Sequence, residues 1–329
     1  MRHAAGGVVR DRKSSISIVS GKKIKADAAG IRCETLARSP RVCQSLRDAV
    51  AASSERGSAT KYGEDGAVIH FESGNDVEIG LPTAVFLHGF MGSSRDFGPL
   101  CEVLSAHRRC VRVDLPGHGR SVEALRSSPM TIGAMVEEVV GLLDHLELEA
   151  VDVLGYSMGG RVAMLLAMRH PERVRTLVLE SASPGIEGEK ERAERARLDD
   201  ARARAMREEG LERFLAGWYQ LELFESLRAH PGFEAMVRER SRGDVQALSR
   251  VIAAASPGRQ ESLWSRLSEL SMPTMWLAGQ LDARYAAMSQ RAAHRSGGEV
   301  RIIEAAGHNA HLEAPGSVAD AISEFWSGV

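Results

Sequence analysis

The chain has 329 residues, of which 43% are hydrophobic, and its formal net charge is −2. This length suffices for one large domain or two small ones, and the near-neutral charge gives no reason to expect a nucleic acid as partner. The four cysteines (Cys33, Cys43, Cys101 and Cys110) lie far apart, which favours neither a disulfide framework nor a zinc site, and no apolar run reaches the roughly 18 residues of a membrane span.

The N-terminal region differs in composition from the rest of the chain. Residues 1–47 contain eleven Lys or Arg but only three acidic residues, and they show no apolar period. Such a segment cannot bury enough surface to fold alone, so we expect residues 1–66 to form a disordered extension. Two interpretations stay open. A transit peptide would predict a chloroplast protein. A tail, or upstream sequence of a longer polypeptide, would predict a soluble, cytoplasmic one.

Strands and helices alternate along the remaining chain, residues 67–329. Short apolar runs predict strands at 84–87, 110–113, 151–154, 174–179, 274–278 and 300–303, and apolar residues at helical spacing predict helices at 130–146, 158–168 and 318–325. Thr131 is predicted to cap the first of these helices. This alternation predicts a mostly parallel sheet with helices on both faces, in which ligands bind beyond the carboxyl ends of the strands.

Residues 184–270 show helical patterns alone. Charges of both signs crowd residues 187–213, with Glu191, Arg195 and Asp199 four residues apart as in helical ion pairs. Large apolar side chains then dominate residues 214–227. An all-helical insertion between two strands of a parallel sheet predicts a cap over the strand ends.

The motif Gly-Tyr-Ser-Met-Gly at residues 155–159 stands between a predicted strand and a predicted helix. This context favours a catalytic serine, Ser157, on a cramped strand-to-helix turn for which the two glycines leave room. The helix that starts there directs its N–H groups and its positive dipole toward the hydroxyl.

A serine hydroxyl needs a base, and the base needs a carboxylate to orient it. Asp282 follows the strand at 274–278, and His308 follows the strand at 300–303. His311 is an alternative base, but we expect it to be a partly exposed surface histidine. His308 is preferred because Gly307 gives the backbone the freedom to aim it.

The loop after the first strand, His-Gly-Phe-Met-Gly at residues 88–92, occupies the place from which an oxyanion hole draws a donor. The N–H groups of Phe90 and Met158 are predicted to form that hole. His88 and His118 are expected to brace their loops.

One family shares several motifs with this chain: GYSMGGR, SASPG, Arg195 with Asp199, GWYQ and GHNAHLE. The ordered part resembles the α/β-hydrolase fold, and within it the 2-succinyl-6-hydroxy-2,4-cyclohexadiene-1-carboxylate synthases of menaquinone and phylloquinone biosynthesis. It is most similar to the synthase module of the plant multifunctional phylloquinone-biosynthesis protein. The resemblance implies a lyase that eliminates pyruvate, without metal or cofactor, with neighbouring enzymes of the pathway as candidate partners.

The resemblance also implies roles for individual residues. It places the triad on Ser157, Asp282 and His308, and the substrate contacts on Tyr156, Arg161, Arg195, Trp218 and, less securely aligned, Arg240. Arg202 lies outside the matched pattern, so its replacement is expected to be nearly silent. The chain departs from the family at Phe97, where many relatives have tryptophan, and at Arg284 and Tyr285 beside Asp282.

The implied substrate carries three carboxylates, and arginine side chains match carboxylates through two-point contacts. Three arginines at a capped pocket therefore favour this trianion over an uncharged ester. Two alternatives remain open from sequence: a serine hydrolase acting on esters or carbon–carbon bonds, and a non-catalytic member of the fold.

Overall fold

The computed structural model describes residues 67–73, 81–124 and 129–329, and before them the strands at 16–19, 22–27, 30–32 and 57–62. The chain divides into two compact units, residues 1–55 and 56–329.

The N-terminal unit contains a small antiparallel sheet. Its strands are β1 (Ile16–Val19), β2 (Lys22–Asp27) and β3 (Gly30–Arg32), paired in that order. These three strands are regular structure, whereas the sequence predicts a disordered extension for residues 1–66. Most of that segment lies outside the described residues, so both the disordered extension and the transit peptide stay predictions.

The second unit is built on an eight-stranded sheet. Its strands are β4 (Gly57–Tyr62), β5 (Ala67–Ser73), β6 (Thr83–Leu87), β7 (Arg109–Val113), β8 (Val151–Tyr156), β9 (Val174–Glu180), β10 (Thr274–Gly279) and β11 (Glu299–Ile303). The spatial order is β11-β10-β9-β8-β6-β7-β5-β4. The six strands from β11 to β7 are parallel, and only β5 and β4 pair antiparallel at one edge. β4 begins ten residues before the predicted start of this domain at residue 67.

Helices cover both faces of the sheet. The α-helices run over Gly98–Leu104, Ile132–His145, Met158–Arg169, Glu189–Glu209, Leu211–Trp218, Glu225–Arg228, Phe233–Arg240, Val245–Ala254, Ala283–Ser296, Ala310–Glu313 and Pro315–Ser327. Short 3₁₀ helices lie at Ser94–Phe97, Pro171–Arg173, Glu222–Phe224 and Trp264–Glu269.

Strand β6 shows why two helical layers are needed. Its residues alternate in direction, so that Val85 and Leu87 belong to one buried cluster while Ala84 and Phe86 belong to another. The first cluster includes the helices at 132–145 and 158–169, and the second includes those at 98–104 and 315–327. The predicted α/β architecture is therefore confirmed.

Local predictions also agree with the structure. The Thr131 side chain accepts a hydrogen bond from the Ala134 N–H at 3.1 Å and caps the helix Ile132–His145. Between residues 184 and 270 the regular structure is entirely helical, as the predicted cap requires. Within the described part of the chain, no helix is long and apolar enough to cross a membrane.

Candidate active site

Three side chains from different strand ends meet beyond the carboxyl edge of the sheet. Ser157 follows β8, Asp282 follows β10, and His308 follows β11. The Ser157 Oγ lies 3.2 Å from His308 Nε2, and His308 Nδ1 lies 2.6 Å from Asp282 Oδ2. Asp282 Oδ1 also accepts the Tyr285 N–H at 3.1 Å, which fixes the carboxylate. This chain of hydrogen bonds has the geometry of an activated serine held by an oriented base.

Ser157 occupies a strained turn. Its φ is 51°, in the left-handed region that a side chain seldom adopts, and its N–H donates to the Glu180 carbonyl at 2.9 Å. A Cβ atom on Gly155 would collide with the Gly159 carbonyl, and one on Gly159 would collide with the Leu87 carbonyl. The two glycines thus admit the close approach that the motif predicts.

Gly307 assists His308 in a different way from the one predicted. Its backbone is not in the positive-φ region, so conformational freedom is not the reason for glycine here. A Cβ atom at Gly307 would instead collide with the Ser226 hydroxyl of the cap. The Gly307 N–H donates to Glu313 Oε2 at 2.9 Å, which holds the loop against the short helix Ala310–Glu313.

His311 is not the surface histidine that the sequence predicts. Its side chain is fully buried, and its Nδ1 lies 2.9 Å from both carboxylate oxygens of Glu180, which is also fully buried. The His311 ring stacks on Phe97 with centroids 4.4 Å apart. Sequence reasoning missed this contact because Glu180 and His311 lie 131 residues apart.

We expect His311→Ala to destabilise the fold rather than to abolish the chemistry. Removing one partner of a buried pair leaves the Glu180 carboxylate without its side-chain donor, which typically costs about 3–5 kcal/mol. For a domain of this size the thermal midpoint should fall by about 10 °C. Thermal melts check this, with the exposed His294→Ala as control. A His311→Ala melt at the wild-type temperature would show that the pair contributes nothing.

The loop after β6 carries the other predicted donor. Phe90 and Met158 border the same cavity as Ser157, as an oxyanion hole requires. His88 braces this loop: its Nδ1 donates to the Gly89 carbonyl at 2.7 Å, and its Nε2 accepts the Leu115 N–H at 2.9 Å. Burial lowers the pKa of both His88 and His118, which keeps these rings neutral. His118 Nδ1 lies 3.1 Å from the Pro116 carbonyl, so the contacts of both histidines agree with the loop-bracing role predicted for them.

Ser157 opens into a cavity of about 340 Å³ beneath the cap. Its aromatic and apolar wall includes Phe90, Trp218, Phe224, Val251 and Tyr285. Its charged side chains are four arginines and one carboxylate, namely Arg161, Arg195, Arg202, Arg284 and Asp199. A cavity with this balance favours an anionic ligand.

Arg161 lies one helical turn after Ser157 and is 7% exposed. Its Nη1 donates to Gln260 Oε1 at 2.9 Å, and its Nη2 donates to the Ala255 carbonyl at 2.7 Å. Both partners are neutral. Burial, followed by repulsion from Arg195, lowers the pKa of Arg161 to about 10, so the side chain stays protonated at neutral pH. The guanidinium is thus a buried cation with unused N–H donors.

Arg195 and Arg202 share one carboxylate on the cap helix Glu189–Glu209. The Arg195 Nε donates to Asp199 Oδ2 at 2.8 Å, and the Arg202 Nη1 donates to Asp199 Oδ1 at 3.0 Å. The Arg195–Asp199 pair is the one predicted from the spacing. Arg202 also borders the cavity, so the expectation that its replacement is nearly silent does not fit its position.

The two aromatic side chains predicted to contact the substrate, Trp218 and Tyr156, differ in position. Trp218 borders the cavity and packs against Phe90, with ring centroids 5.6 Å apart. Tyr156, which the resemblance makes a substrate contact, is buried and does not border the cavity; its ring lies 5.5 Å from that of His308.

Arg240 is not brought to this cavity. It lines a separate cleft of about 570 Å³, where it pairs with Asp96 at 3.1 Å and donates to the Tyr219 hydroxyl. The cavity therefore lacks Arg240 of the predicted trio and has Arg202 and Arg284 beside Arg161 and Arg195.

No group of three or more His, Cys, Asp or Glu residues in the described part of the chain is arranged to hold a metal ion. The side chains around Ser157 that could bind a ligand are the arginines and the aromatic wall.

Known proteins resemble this chain in sequence and in fold. A family model described as the alpha/beta hydrolase fold matches residues 82–315, which defines the class of the chain. The 2-succinyl-6-hydroxy-2,4-cyclohexadiene-1-carboxylate synthase of Salmonella newport is 36% identical over 252 residues, 75% of this chain and 94% of the relative. The chain belongs to this synthase family.

Two further relatives agree with that assignment. The solved structure of MenH from S. aureus has a TM-score of 0.75 and 28% identity, and it covers 78% of this chain and 98% of its own. Protein PHYLLO, chloroplastic, of Arabidopsis thaliana is 33% identical over 262 residues, 75% of this chain. This chain spans only 15% of the length of that plant relative.

Proposed function

We propose that the chain eliminates pyruvate from 2-succinyl-5-enolpyruvyl-6-hydroxy-3-cyclohexene-1-carboxylate and releases 2-succinyl-6-hydroxy-2,4-cyclohexadiene-1-carboxylate, a step of phylloquinone and menaquinone biosynthesis. One observation in the structure supports this proposal in addition to the family membership. The hydroxyl of Ser157, hydrogen-bonded to His308, opens into a cavity whose charged wall consists of four arginines and one carboxylate. Such a wall suits a substrate with three carboxylates.

In this mechanism Ser157 acts as a base rather than as a nucleophile. His308, held by Asp282, takes the hydroxyl proton, and the serine oxygen removes a proton from the substrate ring. The C–H electrons form a new double bond inside the ring, the existing ring double bond shifts by one position, and the carbon–oxygen bond to the enolpyruvyl group breaks. The leaving enolate takes up, at carbon, the proton that His308 received and becomes pyruvate.

Negative charge develops on the succinyl ketone oxygen as the ring proton leaves. The N–H groups of Phe90 and Met158 are the donors we assign to that oxygen, since both residues border the cavity beside Ser157. Met158 is the first residue of its helix, so the helix dipole adds to the stabilisation.

Arg161 and Arg195 are the carboxylate contacts we assign from the family. Arg161 suits this role best, because its side chain is buried and cationic and donates its hydrogen bonds only to neutral oxygens. Removing a hydrogen bond to a charged group costs about 1.5–3 kcal/mol.

The alternative function is a serine hydrolase, since the same triad can attack an ester. Pyruvate release and hydrolysis of an uncharged nitrophenyl ester, measured on one preparation, separate the two. The lyase proposal requires the specificity constant for pyruvate release to be the larger. A larger constant for the ester would favour the hydrolase.

We also propose that the protein works in plastids. The proposal draws on the chloroplastic plant relative and on the basic, acid-poor composition of residues 1–47. A fluorescent reporter fused after Arg47 is expected to enter plastids. The control is the same fusion with the eleven basic residues changed to glutamine. A reporter that stays in the cytosol would contradict a transit peptide and favour a module of a longer chain, beside neighbouring enzymes of the pathway.

A further inference from the structure

We propose that Arg202 binds a carboxylate of the substrate, as a third cationic contact beside Arg161 and Arg195. The inference rests on the function proposed above and extends it to a residue outside the family motif. It starts from the position of Arg202 in the wall of the cavity that contains Ser157.

The cap helix places three charged side chains on one face. Arg195, Asp199 and Arg202 follow each other at spacings of four and three residues, so their side chains project to the same side. Asp199 is 1% exposed and anchors that face against the rest of the cap. Arg202 is held partly buried, with 22% of its side chain exposed.

One carboxylate does not neutralise two guanidinium groups. Asp199 accepts from Arg195, from Arg202 and from the Ser256 hydroxyl at 2.7 Å. Arg202 gives it a single nitrogen, Nη1, and its Nε and Nη2 are free to bind a ligand. The two arginines therefore keep a net positive charge and unused N–H donors at the cavity.

Trp218 fixes the orientation of the Arg202 guanidinium, whose central carbon lies 5.2 Å from the centre of the indole ring. The indole is itself held by Phe90 and by Phe214, which stacks on it with centroids 5.7 Å apart. An arginine held in this way loses little conformational entropy when it binds a carboxylate.

Arg240 does not fill the place of a third contact. Its guanidinium is engaged by Asp96 and Tyr219 in the separate cleft. The substrate has three carboxylates. Of the two further arginines at the cavity, Arg284 is exposed and Arg202 is partly buried, so Arg202 is the better candidate for the third contact.

The test is steady-state kinetics of Arg202→Gln. We expect KM for the trianionic substrate to rise about ten- to a hundredfold, with kcat within about threefold of wild type. The matched control is Arg197→Gln, an exposed arginine on the same helix, which should leave both constants unchanged. Arg202→Lys should recover part of the loss, and KM of Arg202→Gln should depend less steeply on salt than that of wild type.

Two outcomes would overturn the inference: a KM within twofold of wild type, or a fall in kcat with KM unchanged. Titration of the same trianionic compound into the protein separates this failure from failure of the proposed function. If the wild type releases no pyruvate, the proposed function fails. The ratio of the Kd values of Arg202→Gln and wild type then decides the inference: a tenfold weakening supports it, and equal values contradict it.

Discussion

Ser157→Ala is expected to lower kcat by about 10⁴-fold or more, because the variant removes the oxygen that we assign to take the ring proton and leaves His308 without its hydrogen-bond partner. The thermal midpoint should stay near that of wild type. The alanine keeps the backbone hydrogen bond from residue 157 to the Glu180 carbonyl, and the Ser157 side chain borders the cavity. Pyruvate release measured with enough enzyme to detect slow turnover checks the prediction.

Two variants control for this result. Ser183→Ala changes another serine of the cavity wall and should retain activity. The Ser183 hydroxyl accepts a hydrogen bond from the Gly185 N–H at 3.1 Å. His308→Ala should lose about as much as Ser157→Ala, and the double variant little more, since the two residues act as one unit. If Ser157→Ala kept more than a tenth of wild-type activity, the serine would not be the base.

Arg161→Ala is expected to raise KM about a hundredfold, because the variant removes a buried cation whose hydrogen-bond partners are neutral. A further fall in kcat would mean that the contact tightens as charge moves onto the substrate. Arg161→Lys should rescue only part of the loss, since an ammonium cannot make the two-point contact. Kinetics with thermal melts measure both effects.

Arg169→Ala is the control on the same helix. Arg169 pairs at the surface with Glu137 at 3.4 Å, and such pairs contribute little. It should behave like wild type in KM and kcat. If Arg161→Ala binds and turns over the trianion like wild type, arginine recognition of the substrate is wrong and a general hydrolase becomes the better account.

The sequence was sufficient to predict the positions of Ser157, Asp282 and His308. Each follows a short apolar strand, and parallel strands bring their carboxyl ends to one edge. Their order along the chain and the turn around Ser157 then left few alternatives. Strand ends are local features, which explains why the predicted bounds of the six strands differ from those in the structure by only one or two residues.

Burial of polar side chains was not predictable in the same way. His311 follows a turn and precedes the last helix, a position typical of a surface residue. Its partner Glu180 ends a strand 131 residues earlier, and no local pattern connects the two. The role of Gly307 likewise depends on Ser226, which belongs to the cap.

The positions of the arginine side chains on the cap were harder to predict. Helical spacing showed that Arg195 and Asp199 pair, and the same spacing applied to Arg202 would have placed it on that face. Which helix faces Ser157, however, depends on how the cap packs on the sheet. Arg240 was assigned from the family alone, and the packing of its helix directs it to Asp96.

The most direct test of the account is pyruvate release from 2-succinyl-5-enolpyruvyl-6-hydroxy-3-cyclohexene-1-carboxylate, followed continuously with purified protein. We expect one pyruvate per substrate consumed, with formation of the cyclohexadiene product, and loss of both signals in Ser157→Ala but not in Ser183→Ala. Consumption of the substrate without pyruvate, or equal pyruvate release by wild type and Ser157→Ala, would contradict it.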